Sequence, residues 1–91
     1  MNAGEVPSDA RGRAEAVRRR VQEQLLQKAN VVGVGVGLRR AGGRKTGEVV
    51  LVVMVDHKVP QAQLAPEDVV PSEIDGVPVD VQEVGELEAR L

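Results

Sequence analysis

The residue best suited to chemistry in this chain is His57, the only histidine, set beside Asp56. An imidazole oriented by a carboxylate is a general base, and with a hydroxyl in reach it activates a nucleophile. The only serines are Ser8 and Ser72. Ser72, His57 and Asp80 make a triad on paper, but nothing in their spacing brings them together. Ser8 sits where a helix cap is expected, and Ser72 follows a proline in a connecting stretch. One histidine without a second ligand at useful spacing is a poor zinc site. Glu67, Asp68, Glu73, Asp75 and Asp80 lack the spaced oxygen ligands of a calcium loop and read as a solvated, turn-rich edge. The expectation is a non-enzyme with no catalytic residue, no metal and no cofactor. His57 is expected at a strand end, partly in solvent.

The run NVVGVGVGLRR, residues 30–40, superficially resembles a nucleotide loop. A dinucleotide fingerprint needs a strand, a tight turn and then a helix whose N-terminus meets the phosphates. Here the glycines fall inside a period-two alternation, and a glycine-rich turn follows in place of a helix. No Gly-Lys-Ser/Thr of a P-loop is present. The run reads as a strand with Val32, Val34, Val36 and Leu38 on one side and Gly33, Gly35 and Gly37 on the other. A bare side lets something approach the backbone closely. Either another element of this chain packs there, or a second protein does. Val49, Leu51, Val53 and Val55 of the following apolar run would add to such an interaction surface if the register agrees.

A third possible chemistry is electrostatic. Arg18, Arg19 and Arg20, with Arg39, Arg40, Arg44 and Lys45, form a candidate phosphate-binding patch on a basic helix and a basic hairpin. Against nucleic acid stand an acidic second half and the absence of Phe, Tyr and Trp, which removes stacking platforms for bases. Residues 11–45 carry a net charge of +8 and residues 46–91 a net charge of −8. Two readings of this asymmetry stay open. The halves interleave in the fold, or they form opposite faces that favour contact between copies or with a charged partner.

The elements that must position these residues follow from periodicity. The 91 residues suffice for one small domain, expected as 8–91 behind a flexible tail at 1–7. Ala10, Ala14, Val17, Val21 and Leu25 recur at three- and four-residue steps, with Leu26 and Ala29 widening the stripe. This is an amphipathic helix, capped at Ser8 or Asp9 and stopped at Asn30. A glycine-rich hairpin turn joins the glycine strand to VVLVVMV, which is apolar on both sides and so expects cover on both. A proline-rich connection with one short helical turn leads to a third strand at VPVDVQEVG. Glu86–Leu91 reads as a short final helix or a tail. The fold class is α+β: one long amphipathic N-terminal helix on a small three-stranded mixed or antiparallel sheet. Without cysteine there is no disulfide or thiolate site, which fits a reducing compartment. No apolar run is long enough to cross a bilayer as a helix, no signal peptide is visible, and a cytoplasmic location is expected.

Three stretches together carry a family resemblance: NVVGVGVGLRR, GGRKTGEVVLVVMVDHKVP and LAPEDVVPSEIDGVPVDVQEVG. In order and spacing, residues 30–85 resemble the N-terminal segment ahead of the protease domain in some bacterial trypsin-like serine peptidases. The resemblance implies a non-catalytic module that packs on, positions or oligomerises a protease-like domain. No catalytic residue carries over, because the matched segment precedes the catalytic ones. The expected function is a protein-interaction or oligomerisation module whose partner is itself or a trypsin-like peptidase domain. The alternatives are a small nucleic-acid-binding protein and the N-terminal fragment of a longer serine peptidase.

Overall fold

A computed structural model describes residues 5–85 of the chain. Residues 1–4, part of the expected tail, and residues 86–91, the expected final helix or tail, lie outside the described residues. Helix α1 spans Glu5–Leu26. It begins ahead of Ser8 and Asp9, so the expected cap lies within the helix. Pro7 is tolerated there because first-turn N–H groups have no intrahelical acceptor. Along the apolar stripe Ala14, Val17 and Leu25 are buried and Val21 is half-buried, whereas Ala10, Leu26 and Ala29 are exposed. The stripe that meets the sheet is thus narrower than the periodicity suggests. Asn30 ends the helical region in the left-handed conformation, with φ 71°. Asparagine visits that region more readily than other side-chain-bearing residues do.

Strand β1 (Val31–Ala41) and strand β2 (Arg44–Val55) form an antiparallel hairpin in which Ala41 pairs with Arg44. The two residues between them, Gly42 and Gly43, have φ of 59° and 77°. Two consecutive positive φ values define the mirror-image turn whose twist suits a tight hairpin, and glycine adopts it without strain. A crossover then returns the chain so that β4 (Val77–Glu83) lies parallel to β2. The crossover holds two single 3-10 turns, Gln61–Gln63 and Pro66–Asp68, where one short turn was expected. It is tied to the end of α1, where the Ala29 N–H donates to the Asp68 carboxylate at 2.9 Å and Lys28 Nζ donates to the Glu67 carbonyl at 2.6 Å.

The sheet has four strands, in the order β1-β2-β4-β3, and not three. The additional strand, β3, is only Glu73–Ile74 and pairs antiparallel with β4. Two residues show no alternation, so periodicity cannot reveal them. The turn between β3 and β4 is Asp75-Gly76, with φ of 51° and 82°. That dipeptide is a strong hairpin signal in its own right. The architecture is α+β, with α1 laid over one face of a mixed sheet. Its core joins Ala14, Val17 and Leu25 to Leu51, Val53, Val55, Val77 and Val79.

Candidate protein interface

The register decides what the glycine stripe faces. Gly33 pairs with Met54, Gly35 with Val52 and Gly37 with Val50. Directly paired residues project to the same side of a sheet. The glycines therefore share their side with Val50, Val52 and Met54 of β2, and with Pro78, Asp80 and Gln82 of β4. Leu51, Val53 and Val55 belong to the core beneath α1, with Val49 packed against it. This corrects the expected surface. Val49, Leu51, Val53 and Val55 lie on the opposite side of the sheet from Gly33, Gly35 and Gly37 and cannot extend their surface.

The three glycines differ in what a side chain would meet. At Gly33 a Cβ would lie 2.8 Å from Met54 Cε, the free end of an unbranched side chain that can swing aside. At Gly37 it would lie 3.3 Å from Val52 Cγ2, which belongs to a stiff β-branched residue. At Gly35 the nearest atom would be Met54 Cε at 3.9 Å, an ordinary van der Waals contact. Internal packing thus accounts for Gly37, accounts weakly for Gly33, and does not account for Gly35.

Part of this side is covered by the hairpin itself. The Arg40 N–H donates to Asp80 Oδ2 at 3.0 Å, although β2 lies between their strands. The end of the hairpin therefore curls over β2 towards β4, with the glycines on the inside of the curve. Val50 is fully buried as a result, while Met54 stays half-exposed near the other end. Arg39 Nε donates to Glu48 Oε1 at 2.6 Å on the same hairpin. Partial burial pushes the Asp80 carboxyl up. The Arg40 N–H, the Gln82 amide and the nearby charges of Arg39 and Lys58 outweigh that, so it titrates below its ordinary value.

His57 is exposed at the end of β2, as expected, with Nδ1 3.0 Å from Asp56 Oδ1. It lines a half-open, mainly apolar cavity of about 260 Å³ together with Val55, Leu64, Val70, Val81 and Asn30. The Asp80 carboxylate is engaged by Arg40 and Gln82. Ser72 lies in the connection, where its carbonyl accepts from the Val79 N–H. The three residues of the paper triad belong to three separate hydrogen-bonded settings. No group of three or more metal-ligating side chains occurs among the described residues. No helix among them is long and apolar enough to cross a membrane.

The basic residues do not form one patch. Arg18 bonds Glu15 and Gln22 along the helix, Arg20 pairs with Asp75 in the β3–β4 turn, and Arg39 pairs with Glu48. Arg19, Arg40, Arg44 and Lys45 are exposed, the last three at the end of the hairpin. Arg20–Asp75 and Arg39–Glu48 pair the basic first half with the acidic second half, so the two halves interleave. A scan of protein-family models and a search of curated proteins return no match to this chain.

Proposed function

We propose that this chain is a non-catalytic self-association module that binds through its glycine-bearing strand, β1. The observation that carries this reading is Gly35. A glycine inside a strand costs roughly 0.5–1 kcal/mol relative to alanine, and at Gly35 no internal contact requires the missing side chain. A second protein brought close to the backbone supplies the reason. The resemblance to the segment ahead of trypsin-like peptidase domains supports a further role, in which the assembled module positions such a domain in the cytoplasm.

Sedimentation velocity over a wide concentration range tests the reading, with wild type and Gly35→Arg run side by side. The wild type is expected to gain mass with concentration. Gly35→Arg, whose Cβ would meet only Met54 Cε at an ordinary 3.9 Å, is expected to stay monomeric with an unchanged circular dichroism spectrum. Equal association of both proteins, with the fold intact, would refute the surface.

A further inference from the structure

The two edges of the sheet are built differently. One edge is β3, two residues long, and beyond it the outer side of β4, with Pro71 ahead of β3, Pro78 in β4, Asp75 in the turn, and Glu73, Asp80 and Glu83 along the strands. Short length, proline and charge are the ordinary means of keeping an edge from pairing with another chain. The other edge is β1, with 11 residues and no proline. Its register is irregular between Val31 and Gly33 and again between Leu38 and Arg40. Between those points the ladder from Gly33 to Leu38 is regular and uncharged. Alternate residues of an edge strand turn their N–H and C=O groups outward, and no described strand takes up those of β1.

The sequence of this edge is nearly palindromic. About Gly35, Val34 mirrors Val36, Gly33 mirrors Gly37, and Val32 mirrors Leu38. An antiparallel pair of identical strands related by a two-fold axis brings mirrored residues together, so a palindromic strand is self-complementary. Charge selects the same arrangement. A parallel pairing would set Arg39 and Arg40 against their own copies. The antiparallel pairing sends them to opposite ends, opposite the partner's Val31 and Asn30. At that end lies Asp56, whose N–H donates to the Asn30 carbonyl at 3.0 Å and whose carboxylate accepts from the His57 N–H at 2.7 Å. The antiparallel pairing thus keeps the arginines apart and sends them to the end that holds an acidic residue.

We propose that two copies of this chain join edge to edge through β1, antiparallel and centred on Gly35, into one continuous eight-stranded sheet. The inference rests on the self-association reading above and fixes its geometry. In this arrangement the bare position 35 sits on the two-fold axis, where a charged or bulky side chain would oppose itself.

The chain has no cysteine, so an introduced one is a unique probe. In the edge-to-edge dimer the two copies of position 35 lie roughly 5 Å apart, within disulfide range. The two copies of position 82 on β4, also on the glycine side, lie five strand spacings apart, roughly 24 Å. Gly35→Cys and Gln82→Cys are oxidised mildly and read by non-reducing electrophoresis and intact mass, with circular dichroism confirming the fold. The expected result is a doubled mass for Gly35→Cys and an unchanged mass for Gln82→Cys. A mixture of Val32→Cys and Leu38→Cys chains gives a second reading of the same register, with a mixed 32–38 disulfide expected.

Crosslinking at 82 and not at 35 would overturn the edge geometry in favour of face-to-face packing while leaving self-association standing. A wild type that is monomeric at every concentration, with no crosslink at any position, would remove both. Pairing of β1 with a strand of a different protein would show as a wild-type monomer that forms a mixed disulfide through position 35 only with that protein present. That result would also overturn the proposal.

Discussion

Both sides of β2 are apolar, but different things complete them. On one side Leu51, Val53 and Val55 meet Val17 and Leu25 of α1, and the core is closed by this chain alone. On the other, Val50 and Val52 are buried beside the hairpin's own glycines, while Met54 stays half-exposed next to Gly33 with no second layer over it. A single helix can cover only one face of a sheet. The comparison teaches that hydrophobicity marks a strand for burial without saying who buries it. The partner is read from the neighbours of each position: helix residues on one side, missing side chains on the other.

Substitutions on the two sides should therefore behave differently. The largest effect is expected from Leu51→Ala. The residue is fully buried beneath α1, and its loss should cost about 2–5 kcal/mol in urea unfolding. Domains of this size hold little stability in reserve, so the variant should be close to unfolding at room temperature. That cost should not depend on protein concentration. Met54→Ala, on the glycine side, should cost only about 1 kcal/mol in dilute solution because the residue is half-exposed. Gly35→Arg, at the centre of the β1 edge, should instead lose the stabilisation that wild type gains with concentration, since association stabilises only the folded chain. A Gly35→Arg variant whose stability rises with concentration as wild type's does would contradict association through β1.

The glycines sharpen it further. Gly37→Val should destabilise by about 1–2 kcal/mol, because Val52 cannot rotate out of the way. Gly33→Ala should cost less, with the end of Met54 moving aside. Gly35→Ala should be neutral or should stabilise the isolated chain by up to about 1 kcal/mol. Thermal melts of dilute protein would rank the three.

Asp80 provides a pH test of the hairpin's curl over the glycine side. Its folded-state pKa lies below the unfolded value. The ionised group therefore stabilises the fold fully above the unfolded value, near 3.9. The contribution fades as the pH falls through the still lower folded value. Asp80→Ala should lower stability by about 1 kcal/mol at neutral pH, and the gap to wild type should narrow in acid below about pH 4. Smallest of all should be Arg20→Ala. Its partner Asp75 is exposed, and such pairs contribute at most about 1 kcal/mol.

Much of this was legible in the sequence. The helix stripe at Ala14, Val17 and Leu25, the left-handed stop at Asn30, the Gly-Gly hairpin and the strand at Val77–Glu83 all follow from periodicity and turn chemistry. The side occupied by Val49, Leu51, Val53 and Val55 was legible too, although the expected surface placed them with the glycines. A two-residue turn at Gly42–Gly43 pairs odd-numbered residues of β1 with even-numbered residues of β2. The irregularity between Leu38 and Arg40 shifts the pairing by two residues and so preserves that parity, placing Gly37, Gly35 and Gly33 beside Val50, Val52 and Met54; a one-residue bulge there would reverse the sides. Strand β3 was signalled by Asp75-Gly76 and not by its own two residues. The curl of the hairpin and the Arg40–Asp80 bond were not legible. They depend on the coiling of a long ribbon across a neighbouring strand, a three-dimensional property with no period in the sequence.

In the proposed assembly the free edge of β1 is completed by another copy of the chain. Amide hydrogen exchange followed by mass spectrometry, at low and at high protein concentration, tests it most directly. The account predicts that peptides covering β1 gain protection as concentration rises, while those of α1 keep the same rates. Exchange in β1 that is fast and identical at both concentrations would contradict it.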